Sequence, residues 1–321
     1  MSTSPADVVV LGESLGLLVG EQTGHLSRGD RMRLTFGGAE SNVAIGVSRL
    51  GGSAAWIGRL GADAVGAMIA RELRAEGVAV HAARESTVTT ALMLKERVRP
   101  GASRITYYRR GQAGSRLSPA DVPADVVTSA TVLHVTGISV ALGEAPRAAA
   151  MHAVDLARAS GTLVSFDVNH RATLVEDLDR TREGYLALAE RADLLFAGND
   201  EAELLTGESD PERQLDAMLA LGAQQAVVKL GEAGAIAATA NGDRLRQGAF
   251  RVSAVDTVGA GDAFVAGWLA SLVDGEDVAA RLDTAIRCGA LACLTEGDWE
   301  AAPTREDLAS LDPGHLDPVS R

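Results

Sequence analysis

The stretch Ala254-Val255-Asp256-Thr257-Val258-Gly259-Ala260-Gly261-Asp262-Ala263-Phe264 decides how this chain is read. Residues 250–255 alternate apolar and polar side chains, which predicts a strand running into it. Residues 263–273 carry Phe264, Val265, Trp268, Leu269, Leu272 and Val273, apolar nearly all round, which predicts a buried helix closed by Gly275. Gly259 and Gly261 stand at the junction. A strand feeding a glycine turn that opens a helix leaves several backbone N–H groups without partners and aimed at one point. Such a turn is an anion site, and the helix dipole strengthens it. Asp262 falls in the first helical turn, where an acid ordinarily complements the dipole. Beside an anion site it has a second reading, as a carboxylate that takes a proton while the N–H groups hold a transferring phosphoryl group. The spacing is neither Gly-x-x-x-x-Gly-Lys-Ser/Thr nor Gly-x-Gly-x-x-Gly.

The chain has 321 residues, 46% hydrophobic and 23% charged, an ordinary balance for a globular protein. Aromatics make up 3%, so the core must rest on Ala, Val and Leu. A net charge of −13 repels nucleic acid and anionic membranes, so neither is expected as a partner. It leaves an anionic small molecule open, because local arginines decide that. Two cysteines, Cys288 and Cys293, form neither a disulfide framework nor a metal pattern and are expected to be packing residues. The N-terminus lacks a basic-then-apolar signal and no apolar run reaches membrane-spanning length, which predicts a cytoplasmic protein.

Strand and helix patterns alternate along most of the sequence, beginning with the apolar run Val8-Val9-Val10-Leu11. They predict an α/β fold with a mostly parallel central sheet. Residues 13–36 and 86–112 break the rhythm. The second segment reads as a hairpin around Pro100-Gly101, and the two together predict a small sheet covering the main domain as a lid. Within the hairpin Tyr107 and Arg109 share a strand face, either as a carboxylate clamp or as part of an ordinary exposed strand. Arg171 follows the strand at 163–168, at the end where open parallel sheets bind ligands, and is either a second anion contact or a salt-bridge partner. Gly37-Gly38 opens a helix and lets a ligand approach the backbone. His134 and His170 have no metal-ligand spacing and read as structural.

The sequence Asp256-Thr257-Val258-Gly259-Ala260-Gly261-Asp262 resembles the C-terminal signature of the PfkB (ribokinase-like) carbohydrate kinases. The run from Trp56 to Gly66 is similar to the same family's N-terminal signature, and the likeness extends from Val8 to about Leu308. The resemblance implies one ribokinase-like three-layer αβα domain over residues 1–321, with the lid segments inserted in it. It implies ATP and Mg2+ as cofactors, Asp262 as the base, and Gly259, Ala260 and Gly261 as the anion hole. Gly37, Gly38 and Asn42 would line the sugar site. Lys229, Gly231 and Gly234 would lie beside the nucleotide phosphates and ribose, with Gly297 near the adenine. Glu201 would organise Mg2+ through water. The family's neighbouring Asn position is Gly198 here, so Asn199 supplies that nucleotide contact from one residue later or the contact is lost. The backbone at Asp256 and Val258 would hold a monovalent cation such as K+.

Within the family the resemblance is greatest to kinases of 2-keto-3-deoxygluconate. It is carried by Gly37-Gly38-Ala39-Glu40, Tyr107-Tyr108-Arg109-Arg110-Gly111 and Asp167-Val168-Asn169-His170-Arg171. A sugar acid is the implied partner, its carboxylate held by Arg109, Arg171 and the hydroxyls of Tyr107 and Tyr108, its primary C6 hydroxyl the acceptor. Met93 stands where close relatives often have tyrosine. The competing readings are a fructokinase, ribokinase or nucleoside kinase, and a sugar-binding regulator without catalysis. An exposed lid edge invites homo-oligomer formation.

Overall fold

The computed structural model describes residues 5–99 and 102–311. The strands in chain order are β1 (Val8–Leu11), β2 (Leu15–Thr23), β3 (Met32–Gly37), β4 (Ala54–Gly61), β5 (Ala79–Glu85), β6 (Leu92–Arg99) and β7 (Ala102–Tyr108). Then come β8 (Val132–Thr136), β9 (Leu163–Asp167), β10 (Leu194–Gly198), β11 (Gln225–Lys229), β12 (Ala235–Thr239) and β13 (Arg244–Gln247). Nine form one sheet in the order β13-β12-β11-β10-β9-β8-β1-β4-β5, parallel except at β11–β12 and β12–β13. Four form a second sheet, β3-β2-β6-β7, built from the two segments that break the strand–helix rhythm. The expected turn at Pro100-Gly101 lies outside the described residues.

The apolar character of β1 now has its cause. All four residues are buried, because both faces of the sheet are covered. Val8 and Val10 pack toward the helices Ala39–Arg49, Ala64–Ala75, Ala260–Val273 and Val278–Ala292. Val9 and Leu11 pack toward the helices Glu144–Ser160, Leu178–Ala189 and Pro211–Ala220 on the other side. Trp268 is fully buried and meets Phe196 edge-on, 5.7 Å between ring centres. Small residues fill most of the remaining core, as the shortage of aromatics requires. Asp63 caps its helix by accepting from the Gly66 N–H, 2.8 Å away.

The chain places β4 and β5 on one side of β1 and β8 to β13 on the other. Loops leaving the carboxyl ends of the central strands therefore diverge at β1 and β8, and the gap between them is where such sheets bind ligands. The small sheet joins the main one there, since β2 follows β1 after Gly12-Glu13-Ser14 and β3 runs directly into Gly37-Gly38.

The strand expected at 250–255 does not form. Residues 250–258 cross the surface without sheet pairing, and the Val255 N–H donates instead to the Cys293 carbonyl at 2.8 Å. The alternation there is real, but the sheet already ends at β13, and Val255 is left 59% exposed. The helix begins at Ala260, so Asp262 lies in its first turn as expected and Gly261 lies there with it.

Candidate active site

The helix Ala260–Val273 opens on Gly259, whose φ of 77° is a left-handed conformation that favours glycine. The N–H groups of Gly259, Gly261 and Asp262 meet no acceptor among the described residues, so the turn is an open anion cradle. Asp262 lies in it, 7% exposed. Its Oδ2 accepts from Asn42 Nδ2 at 2.8 Å, and its Oδ1 from Asn169 Nδ2 at 3.3 Å. Asn169 is the one non-glycine residue with positive φ among those described, 39°, a strained backbone of the kind found at working sites. Burial pushes the Asp262 carboxyl up to about 6, with Arg171 and the Asn42 hydrogen bond opposing it. A carboxylate so tuned is a competent proton acceptor at neutral pH.

Sequence reading missed several residues that meet here. Asp298 accepts from the same Asn42 amide at 2.9 Å, and burial, then the Asp262 charge, raise it to about 7. Nothing in the sequence marks it, since a lone acid after a glycine carries no spacing signal. Its position explains Gly37: a Cβ there would fall 1.7 Å from Asp298 Oδ2. Asp167, at the end of β9, holds Lys229 Nζ at 2.9 and 2.7 Å. Burial works against that ammonium, but Asp167, Glu201 and Asp262 outweigh it and raise its pKa. Glu40 is buried, bonded by Thr136 Oγ1 at 2.5 Å, and raised to about 7 by burial.

On one side of Asp262 is a cleft of ≈ 590 Å³ under the small sheet. Gly38, Asn42, Tyr107, Arg109 and Arg171 all line it, together with Asp298. Arg171 makes no ion pair among the described residues. Arg109 does: it is 7% exposed and paired with Glu13, which is 1% exposed, and its guanidinium stacks 5.2 Å from the Tyr107 ring centre. The two arginines expected to hold a carboxylate thus share the cleft, Arg109 already paired with Glu13 and Arg171 without an acid partner among the described residues. Tyr108 does not join them. It points to the opposite face of its strand and is 58% exposed, as strict alternation with Tyr107 requires. Met93 sits opposite Tyr107 in the sheet register and lines the cleft without a hydroxyl.

On the other side is a cleft of ≈ 780 Å³ lined by Lys229, Gly231, Gly234, Phe250, Ala260 and Gly261 among others. A Cβ on Gly231 would meet nothing within 4 Å, and one on Gly261 only Lys229 Nζ at 3.8 Å, so both leave room for a ligand. Gly234 is different: its φ is 92° and a Cβ would lie 2.0 Å from the Gln247 carbonyl oxygen. Room at the glycines and free N–H groups in the turn fit a nucleotide triphosphate. Cys293 lines this cleft half-buried, rather than serving only the core; both cysteines are free thiols.

Two expected nucleotide residues stand elsewhere than the resemblance implies. Asn199 lines neither cleft; its carbonyl accepts from Gln214 Nε2 at 3.1 Å, and Gly198 occupies the cleft wall instead. Gly297 lies in a separate cavity against the small sheet, beside Arg97, not in the larger cleft. Asp256 points its carboxylate at Lys95 Nζ, 2.5 Å away, and at the Val258 N–H, so its side chain is already balanced by a cation of the protein. Glu201 does line the acceptor-side cleft. Its two oxygens accept from the N–H groups of His170 (2.8 Å) and Gly198 (2.6 Å), which fixes the carboxylate. His134 is buried against Ser165, and burial drives its pKa down to about 3, in keeping with a structural role.

The turn and the Asp298 loop are one unit. A Cβ on Gly259 would lie 2.0 Å from the Asp298 carbonyl oxygen, on a backbone that disfavours any side chain. Gly259→Ala is therefore expected to cost about 1–2 kcal/mol from backbone strain alone. Its melting temperature should fall, and kcat should fall beyond what the remaining folded fraction explains; both are read on the same purified sample.

A mostly parallel sheet with helices on both faces, a small sheet over its switch point, and an acid inside a glycine-lined helix mouth define a phosphotransferase-type site. The pfkB family carbohydrate kinases match residues 5–305, and the chain belongs to that family. It is 38% identical over 307 residues to the 2-dehydro-3-deoxygluconokinase of Bacillus subtilis (strain 168), covering 95% of each chain. It is 35% identical over 285 residues to a probable fructokinase-4 of Arabidopsis thaliana, covering 86% of each. Among solved structures it is similar to a putative ribokinase II of E. coli in complex with ATP and Mg+2, with a TM-score of 0.87 and 26% identity, covering 96% of this chain and 98% of that one. No helix among the described residues is long and apolar enough to cross a membrane.

Proposed function

We propose that this carbohydrate kinase phosphorylates the primary C6 hydroxyl of 2-keto-3-deoxygluconate, with ATP as donor. The observation that carries the reading is a guanidinium, Arg171, with no acid partner among the described residues, in the same cleft as the buried base Asp262. One grips a carboxylate and the other meets a hydroxyl, so an acid with an alcohol at its far end suits both. Asn42 and Asn169 hold Asp262 in place. Asp262 takes the proton as the alcohol oxygen attacks, and the N–H groups of Gly259, Gly261 and Asp262 receive the charge on the transferring group. Lys229, fixed by Asp167, stands between the clefts where further phosphate charge collects. Glu201 would be the residue to hold magnesium, through water, and a bound magnesium would offset phosphate charge there. The small sheet acts as a lid that keeps water from the transferring group.

A second reading, a fructokinase, has two observations in its favour. Glu13 neutralises Arg109, so the cleft carries less positive charge than two guanidiniums would give, and Met93 adds apolar surface. ADP release with each acceptor separates the two. Whichever acceptor is used, Asp262 must be ionised to act. With its pKa raised to about 6, the ionised fraction grows as pH rises, so kcat/KM should climb through a limb near pH 6 and level off above it. Below the limb the loss should approach about tenfold per pH unit. A profile flat from pH 5 to 8 would remove Asp262 from the role of base.

A further inference from the structure

Glu13 is one of the buried acids that the mechanism leaves idle. It sits where the chain leaves β1 of the main sheet for β2 of the small one, and its side chain is 1% exposed. Space is cleared around it. A Cβ on Gly114 would lie 2.4 Å from its Cγ, and one on Gly38 would lie 2.3 Å from its carbonyl oxygen. Its carboxylate pairs with Arg109, where the chain leaves β7, and both residues line the acceptor-side cleft. Desolvation raises the Glu13 pKa and Arg109 opposes that rise. Burying such a pair rarely repays its desolvation in stability, so its effect on the charge of the cleft is the more informative consequence.

Two guanidiniums line the cleft. Glu13 cancels one of them, and Arg171 alone has no acid partner among the described residues. Glu40, whose charge also reaches Arg109, makes no ion pair with it among the described residues and accepts instead from Thr136 Oγ1 at 2.5 Å. We propose that Glu13 is a specificity-determining residue: by neutralising Arg109 it leaves the clamp one net positive charge, suited to an acceptor ending in a single carboxylate and unsuited to one ending in a phosphate. This rests on the acceptor reading given above.

The test uses the full-length enzyme and inorganic phosphate as the probe, by calorimetry without acceptor and by inhibition against the acceptor. Glu13→Gln keeps the shape and one hydrogen-bond acceptor while removing the charge. It should bind phosphate about tenfold more tightly, the size of change that ~1.4 kcal/mol of added attraction gives. The gain should vanish in the Glu13→Gln/Arg109→Gln double variant, because the two residues act as one unit. Damage to a merely structural residue would weaken anion binding, so the direction of the change is itself diagnostic. Unchanged or weaker phosphate binding by Glu13→Gln overturns the proposal. So does a matching gain in Glu13→Asp, which keeps the charge; that variant also serves if Glu13→Gln does not fold. Phosphate binding needs no knowledge of the acceptor, so a failure of the sugar-acid reading would appear separately, in the acceptor panel.

Discussion

Replacing Asp262 with asparagine is expected to lower kcat by about 10²–10⁴, the range contributed by a positioned general base. Nucleotide binding should survive, because the glycines and Lys229 that line the larger cleft are untouched. Asparagine keeps the size of the side chain and removes a buried charge, but its one oxygen can accept from only one of Asn42 and Asn169. The folded protein holds Asp262 at a pKa above that of the unfolded chain, so ionisation there opposes folding. The neutral variant should therefore melt close to the parent, the relieved charge offsetting the hydrogen bond it gives up. Loss of turnover with an unchanged melting temperature and unchanged ATP affinity by calorimetry would isolate the chemical step. Near-normal turnover would mean that another group takes the proton, and Asp298, on the same Asn42 amide, would be the next candidate.

Arg171→Ala should act on the acceptor instead. A charged hydrogen bond is worth about 1.5–3 kcal/mol, so KM for 2-keto-3-deoxygluconate should rise about 10- to 150-fold. The KM for fructose, which has no carboxylate, should move by no more than about threefold on the same reasoning. Steady-state ADP release with both acceptors reads the difference directly. Equal losses for the two would mean that Arg171 supports the cleft without recognising an acid. A parallel fall in ATP affinity would place its effect on the donor side.

The parts of the site written contiguously in the sequence were legible, and the parts assembled across it were not. Gly259, Gly261 and Asp262 announce a helix mouth because the spacing of glycine, acid and apolar run is local. Tyr107 and Arg109 were placed on one strand face by alternation alone, and the structure keeps them there while turning Tyr108 outward. The strand expected at 250–255 failed because alternation says nothing about whether a neighbouring strand exists to pair with. Glu13, Asp167 and Asp298 were out of reach for a different reason. Each acquires its meaning from a partner far along the chain: Arg109, Lys229 and Asn42 respectively. The near miss at Gly198 and Asn199 is a matter of one residue of register: β10 ends on Gly198, which turns Asn199 away from both clefts.

The most direct measurement is ADP release by the purified enzyme, with ATP and Mg2+, over 2-keto-3-deoxygluconate, its galacto epimer, fructose, ribose and adenosine. A buried base sharing a cleft with the Arg171 guanidinium predicts the highest kcat/KM for the keto-deoxy acids, with fructose well below and adenosine inactive. A preference for fructose or ribose over both acids would contradict the assignment of the cleft to an acidic sugar.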